Sequence, residues 1–210
     1  MFGKNKQFVA LMFGYTAVGK STTAKNIAKL PNTEIFHSAV VRKELDLTPK
    51  TPAEADKFFD WRNNQRQEVD KKVYTALAEK AADALKRGKN VVLDAGYFFN
   101  WQRKLVYDKT KEFDPEIFIV KVTCHDEDEI KKRMVEREKK FADSPLNETP
   151  SWESYVSSKL VTESIDKDIV EYGVLNVFEY DTLTKELRHS VLQADSENTS
   201  RLINSIVPNV

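Results

Sequence analysis

The chain has 210 residues, enough for one domain or for one domain with a small lid. Its 33 lysines and arginines balance 33 aspartates and glutamates, so the formal net charge is zero. This balance argues against a chain that coats nucleic acid or binds membranes through a polybasic surface. The single cysteine, Cys124, excludes an intrachain disulfide and a cysteine-based zinc site. We expect a cytoplasmic protein that does not enter the membrane, because one cysteine suits a reducing compartment and no apolar run reaches the roughly 18 residues of a membrane-spanning helix.

Five short runs are predicted to form strands because they are rich in apolar residues and of strand length. In chain order these runs lie at residues 7–13, 34–37, 90–94, 116–123 and 174–180. Near-continuous apolar runs are typical of strands that are buried on both faces, as in parallel sheets covered by helices.

The segments between these strands are predicted to be mostly helical. The predicted helices lie at residues 20–30, 40–47, 52–88, 101–111 and 126–140, with one more starting near Ser151 and a last one at 196–207. In the longest helix the apolar residues recur in steps of four from Val69 to Leu85, and Gly88 follows where a C-terminal cap belongs. Strands that alternate with helices indicate a parallel sheet with helices on both faces, and ligands of such sheets bind at the carboxyl ends of the strands.

The segment GYTAVGKS, residues 14–21, matches the phosphate-binding pattern G-x-x-x-x-G-K-[ST] in full. It lies between a predicted buried strand and a predicted helix, which is the context that the pattern requires. Backbone N–H groups of such a loop surround an anion, Lys20 reaches the β- and γ-phosphates, and the Ser21 hydroxyl binds Mg²⁺. The predicted nucleotide-binding residues are Gly14, Thr16, Ala17, Val18, Gly19, Lys20, Ser21 and Thr22.

Asp94 ends the third predicted strand, so we expect its carboxylate beside the phosphate loop. It could hold a Mg²⁺-bound water or take a proton from an attacking hydroxyl. A GTPase is disfavoured, because Asp94 is followed by Ala95 and Gly96 rather than by the Asp-x-x-Gly spacing.

Four segments together resemble a known family. Residues 14–22, 38–45, 91–97 and 132–137 are similar to those of the P-loop kinases called AAA-domain ATP-binding kinases. That family resembles polynucleotide 5′-hydroxyl kinases, zeta-toxin kinases and chloramphenicol phosphotransferase. The resemblance extends from residue 8 to about residue 180. It implies a three-layer α/β P-loop nucleoside triphosphate hydrolase fold with a parallel sheet, one domain over residues 1–210, and a helical lid at residues 131–150.

The resemblance also implies catalytic roles for arginines. Arg42 matches the arginine that steadies the substrate or the transferred phosphoryl group, and Arg133 and Arg137 match lid arginines that neutralise its charge. The family usually has its general base, an aspartate, where this chain has Ala39. Asp94 is the replacement we expect, and His37 is a weaker candidate. Arg103 is a further candidate for holding the acceptor.

The sequence therefore predicts an ATP-dependent kinase that uses ATP and Mg²⁺, with Lys20, Asp94, Arg42, Arg133 and Arg137 as its catalytic residues. The acceptor is a hydroxyl of a small molecule or of a nucleic-acid 5′ end. The small molecule is favoured, because no basic run with interleaved aromatic residues stands out. The alternative is a nucleotide-binding regulatory module, or an ATPase, without transferase activity.

Overall fold

The computed structural model describes residues 6–50, 54, 58, 64–141, 151–173, 176–192 and 196–207. Six strands form one sheet in the order β2-β3-β1-β4-β5-β6. The strands are β1 (Phe8–Phe13), β2 (Thr33–His37), β3 (Asn90–Asp94), β4 (Glu116–Thr123), β5 (Asn176–Asp181) and β6 (Leu187–Leu192). The five predicted strands are thus confirmed with small shifts at their ends, and residues 174 and 175 of the last prediction lie outside the described residues.

Strands β1 to β5 pair in parallel, as predicted, whereas β6 pairs with β5 antiparallel. Strand β6 was not predicted from the sequence. A turn over residues 182–184 connects β5 to β6, and such a short connection can join only antiparallel neighbours.

The register between β2 and β3 is fixed near Asn90. Thr33 pairs with Asn90, and His37 at the other end of β2 pairs with Asp94. The backbone N–H of Asn90 donates to the carbonyl oxygen of Asn32 at 2.8 Å, and its side-chain oxygen accepts from the backbone N–H of Phe8 at 3.2 Å. Asn90 therefore holds β3 against both of its neighbours at the edge opposite the carboxyl ends of the strands.

Helices lie on both faces of the sheet. Their bounds are α1 (Lys20–Ile27), α2 (Ser38–Glu44), α3 (Asn64–Lys86), α4 (Asn100–Thr110), α5 (Glu127–Phe141), α6 (Trp152–Val161), α7 (Asp166–Tyr172) and α8 (Glu197–Ile206). The predicted helices are confirmed where the chain is described, with ends that shift by up to three residues, whereas α7 was not predicted. The part of the predicted lid at 142–150 lies outside the described residues.

Two apolar clusters separate the helices by face. One cluster joins Val9 and Leu11 of β1 to Leu77 of α3 and Val106 of α4. The other cluster joins Ala10 and Met12, the alternate residues of β1, to Ile27 of α1 and Leu202 of α8. Because successive strand residues point to opposite faces, β1 is buried on both sides, and the fold has three layers.

Helix ends follow local sequence rules. Beyond α3, the N–H of Gly88 donates to Leu85 and that of Lys89 donates to Ala84, which is the hydrogen-bond pattern of a Schellman C-cap. At the start of α6, the hydroxyl of Ser151 accepts from the backbone N–H of Ser154, so Ser151 is the N-cap of the helix that was predicted to start near it. In the part of the chain that the structure describes, we find no helix with the length and apolar character needed to cross a bilayer.

Candidate nucleotide-binding site

The loop between β1 and α1 depends on two glycines that have close neighbours. Gly14 has φ +146°, and a Cβ atom there would lie 2.3 Å from the carbonyl oxygen of Val122 in β4. Gly19 has φ +104°, and a Cβ atom there would lie 2.9 Å from the methyl group of Thr182. Both positions therefore exclude other residues, and the loop is held tightly against β4 and the turn after β5.

This loop ends at the N-terminus of α1, which supplies further hydrogen-bond donors. Among the described residues, no side chain caps α1 at Gly19. The first N–H groups of a helix have no partner within the helix, and together with the helix dipole they favour an anion. All eight predicted nucleotide-binding residues lie in this loop or in the first turn of α1.

Lys20, the first residue of α1, points back over the loop. Its ammonium group donates to the backbone carbonyl oxygen of Tyr15 inside the loop. Burial lowers the pKa of Lys20 to about 8, the negative charge of Asp94 opposes this shift, and the positive charge of Arg137 adds to it. The Lys20 ammonium thus lies within electrostatic reach of both predicted catalytic groups.

Asp94 is buried at the carboxyl end of β3, with only 7% of its surface exposed. One of its oxygens, Oδ2, lies 2.8 Å from Nδ1 of His37, its register partner on β2. Burial by itself raises the pKa of Asp94, but hydrogen bonds from His37 and Ser21 and the charge of Lys20 outweigh it and hold the pKa below its usual value. The carboxyl group is therefore ionised at neutral pH.

The structure brings Ser21 and Asp94, the two predicted Mg²⁺ ligands, close enough for the Ser21 hydroxyl to lower the pKa of Asp94. Their hydroxyl and carboxylate oxygens are the hard ligands that Mg²⁺ prefers. No cluster of three or more His, Cys, Asp or Glu residues suited to a metal occurs in the described parts of the chain. The donor set therefore fits an ion that arrives with ATP, because Mg²⁺ in such sites is bound by one or two protein groups, phosphates and waters.

Arg42 lies on α2, in a buried group of charged and aromatic side chains. It is 3% exposed, and its guanidinium lies 4.8 Å from the centre of the Phe58 ring. The guanidinium of Arg66 lies 4.2 Å from the same ring, and its Nε donates to Asp70 at 2.8 Å. A cavity of about 410 Å³ lies beside this group, lined in part by Leu47, Phe58, Arg66 and Val69.

The two predicted lid arginines lie one turn apart on α5. Arg133 Nε donates to Glu129 at 2.8 Å, and its Nη1 donates to the hydroxyl oxygen of Thr182 at 2.8 Å. Arg137 is exposed, and its charge acts on Lys20. The helix that carries both arginines thus contacts the loop through Thr182.

Arg103 does not hold an acceptor, and that expectation is wrong. It is fully buried, and it binds both carboxylate oxygens of Asp168 on α7 and the carbonyl oxygens of Tyr97 and Ser164. All of these bonds are internal, so Arg103 joins α4 to α7.

The roles of two residues of the site can be recognised only in the structure. His37 was the weaker candidate for the base in the sequence analysis, and its contact with Asp94 depends on strand pairing across 57 residues. Thr182 follows β5 and had no motif to mark it. Its position just beyond the carboxyl end of a predicted parallel strand was the one signal that could have found it.

The sheet order, the glycine loop and the basic and acidic groups around it define a P-loop nucleotide-binding domain. A family described as an AAA domain matches residues 9–151, and the chain belongs to that family. A search of curated proteins found no match.

Solved structures share this fold at low sequence identity. Kti12 from Chaetomium thermophilum, solved with ADP-AlF3, has 14% identity and a TM-score of 0.59, covering 94% of this chain and 96% of that one. A sugar kinase from Janibacter sp. HTCC2649 has 16% identity and a TM-score of 0.55, with coverages of 78% and 81%. A chain of the PezAT toxin–antitoxin system from Streptococcus pneumoniae has 13% identity and a TM-score of 0.56, with coverages of 100% and 83%. The predicted resemblance to P-loop kinases and the predicted fold are confirmed.

Proposed function

We propose that the protein is a kinase that transfers the γ-phosphoryl group of ATP to a hydroxyl group. The observation that carries this proposal is the ionised Asp94, which contacts His37 and lies near Ser21 and near Lys20 of the phosphate loop. A buried carboxylate at the end of the strand next to β1 can both assist Mg²⁺ binding and reach an acceptor hydroxyl. This residue also supplies the carboxylate that the kinase pattern would have placed at Ala39.

The nucleotide half of the site consists of the loop, α1 and the arginines of α5. The loop N–H groups and Lys20 bind the β- and γ-phosphates, and Ser21 and Asp94 would hold Mg²⁺, which neutralises charge on the phosphate oxygens when bound. Lys20 leaves the Tyr15 carbonyl for the phosphates on binding, since an anionic phosphate is a stronger acceptor. Arg133 and Arg137 of the predicted lid add positive charge near the phosphates.

In the transfer step, the acceptor oxygen forms a bond to the γ-phosphorus while the bond from that phosphorus to the β-bridging oxygen breaks. The hydroxyl proton passes to Asp94, whose other contacts keep its carboxylate in place. ADP leaves with the electron pair of the broken bond. Catalysis rests on positioning and charge stabilisation, because the protein forms no covalent intermediate.

The acceptor is proposed to be a small molecule that enters beside α2. The cavity of about 410 Å³ near Arg42 and Phe58 has the volume of a small-ligand site. The cavity is lined from Asp46 onward, beyond the C-terminal end of α2, and α2 connects it to His37, which directly precedes the helix and contacts Asp94. We also propose that residues 1–210 form a single domain with a lid at residues 131–150. The protein is proposed to work in the cytoplasm.

A nucleotide-binding regulatory module, or an ATPase, is the second candidate. Ala39, which lacks the carboxylate of the kinase pattern, favours it. Under this alternative, Asp94 binds the metal ion and its waters but does not contact an acceptor.

The test is transfer of label from [γ-³²P]ATP to a pool of alcohols, sugars and 5′-hydroxyl oligonucleotides, with ADP and ATP affinities measured by calorimetry. The wild type is compared with Asp94→Asn, Lys20→Ala and the matched control Asp108→Asn, which changes a half-exposed aspartate on α4. We expect Asp94→Asn to lower transfer by about 10² to 10⁴ while the control transfers normally. ATP binding with no transfer to any acceptor supports the regulatory module, and unchanged ATP affinity in Lys20→Ala refutes the phosphate-loop assignment.

A further inference from the structure

We propose that Thr182 is a positioning residue, which shapes the phosphate loop and aligns Arg133 for the nucleotide. This inference rests on the proposed nucleotide site and adds a residue to it from outside the loop. Thr182 begins the turn between β5 and β6 and is 8% exposed. Its side chain lies where the loop, the end of β4 and helix α5 meet.

The hydroxyl of Thr182 has three neighbours. Its oxygen lies 2.7 Å from the carbonyl oxygen of Val18, 3.2 Å from that of Thr123 and 2.8 Å from Nη1 of Arg133. Arg133 can only donate, so the hydroxyl oxygen accepts from it. The single hydroxyl proton then goes to one of the two carbonyl oxygens.

Of the two carbonyl oxygens, that of Val18 is the one that needs this proton. The Thr123 carbonyl already accepts from the backbone N–H of Thr182 at 2.9 Å. Within the described residues, the Val18 carbonyl has no other donor, and Val18 is 2% exposed. A buried carbonyl that loses its donor costs more than an ordinary hydrogen bond contributes. The Thr182 hydroxyl thus fixes the peptide that directly precedes Gly19 and Lys20.

The methyl group of Thr182 acts on the same part of the loop. It lies where a side chain on Gly19 would have to go, 2.9 Å from the position of a Cβ atom. The methyl group packs against the second glycine of the phosphate-binding pattern while the hydroxyl holds the residue before it. Both groups restrain the loop from outside it.

Arg133 gains its orientation from the same hydroxyl. Its guanidinium is held between Glu129 on α5 and Thr182, at 2.8 Å from each. A guanidinium that is held at two atoms has little freedom to turn away from the loop. The turn after β5 therefore connects the phosphate loop to the helix of the predicted lid.

The test compares nucleotide affinity and thermal stability in three variants. Thr182→Val keeps the shape and removes the hydroxyl, and Thr182→Ser keeps the hydroxyl and removes the methyl group. Thr110→Val is the matched control, because the buried Thr110 hydroxyl also donates to a backbone carbonyl, that of Val106 at 2.7 Å in α4. ADP and ATP affinities are measured by calorimetry, and unfolding temperatures by circular dichroism.

We expect Thr182→Val to weaken ADP binding by about three- to tenfold, the effect of one lost hydrogen bond. Thr110→Val should bind within about twofold of the wild type, and Thr182→Ser, which loses only the methyl contact, should bind more tightly than Thr182→Val but less tightly than the wild type. Both valine variants lose some stability. Equal binding losses in the two valine variants, or a wild-type affinity in Thr182→Val, overturn the proposal. If Lys20→Ala also binds ADP normally, the nucleotide site itself is wrong, so the two failures are distinguishable.

The link to Arg133 is tested by a double-mutant cycle on ATP affinity. Thr182→Val and Arg133→Met are measured alone and together. Because the two side chains share one hydrogen bond, we expect the double variant to lose less than the two single losses added. Strict additivity overturns the part of the proposal that concerns Arg133.

Discussion

Replacing Arg103 with methionine should destabilise the protein strongly while leaving its nucleotide site intact. Arg103 is completely buried, and its Nε and Nη2 donate to the two carboxylate oxygens of Asp168 at 2.5 and 3.0 Å. Two more donations go to the carbonyl oxygens of Tyr97 at 2.8 Å and Ser164 at 3.0 Å. Methionine keeps the apolar stem of the side chain but leaves Asp168 without its counter-charge.

The size of the stability loss follows from the hydrogen bonds that remain around Asp168. Its carboxylate still accepts from Asn100 and Tyr107, both at 2.7 Å, but neither neutralises the charge. Breaking a buried pair by removing one partner costs about 3–5 kcal/mol in the free energy of unfolding. For a chain of this size that lowers the melting temperature by roughly 2–4 °C per kcal/mol.

Urea unfolding followed by circular dichroism measures this effect. The double variant Arg103→Met/Asp168→Leu is the control, and it should be more stable than Arg103→Met alone because no charge is left buried. ADP affinity, measured where the variant is still folded, should stay within about twofold of the wild type. A loss of less than 1 kcal/mol, or a loss of ADP binding in the folded variant, would refute the structural role of Arg103.

Two further predictions concern the loop. With the pKa of Lys20 near 8, the ammonium is mostly charged at pH 7 and mostly neutral at pH 9, so we expect ADP affinity to fall by up to about tenfold over this range. Calorimetry across pH checks this, and Lys20→Met should remove the slope; the same slope in that variant would contradict the assignment. Gly14→Ala should abolish ADP binding, since its Cβ would lie 2.3 Å from the Val122 carbonyl oxygen. Gly88→Ala, which has open space around its Cβ, should cost only about 1 kcal/mol and bind ADP normally.

The fold was largely predictable because its buried strands are apolar on both faces. Strand β1 is the clearest case, since all six of its residues are buried. Strand β6 escaped prediction because it pairs only with β5 and includes Arg188 and His189 between its apolar residues. Helix α7 has seven residues, too few for a helical period to show in the sequence, and it is held by the Asp168 network instead.

The site was predictable where a local pattern carries the chemistry. Residues 14–22 form one continuous stretch, so their spacing alone identified them. Long-range contacts gave no such signal: Asp168 is 65 residues from Arg103, and Thr182 is 164 residues from Val18. From the sequence alone, Arg103 near a strand end could not be distinguished from a ligand-binding residue. Only its buried partner Asp168 shows that its role is structural.

The proposed chemistry depends on how β2 is aligned with β3, because this alignment sets the contact between His37 and Asp94. His37 contacts Asp94 only because the two strands pair from Thr33 and Asn90 onward without an offset. A slip of one residue would turn His37 to the opposite face of the sheet. The Asn90 side chain supports this alignment from four residues away, about 13 Å along the strand, because its Nδ2 donates to the carbonyl oxygen of Pro31, just before β2, at 3.3 Å. A substitution at Asn90 would thus disturb the contact of His37 with Asp94 by shifting the chain, with every charge of the site unchanged.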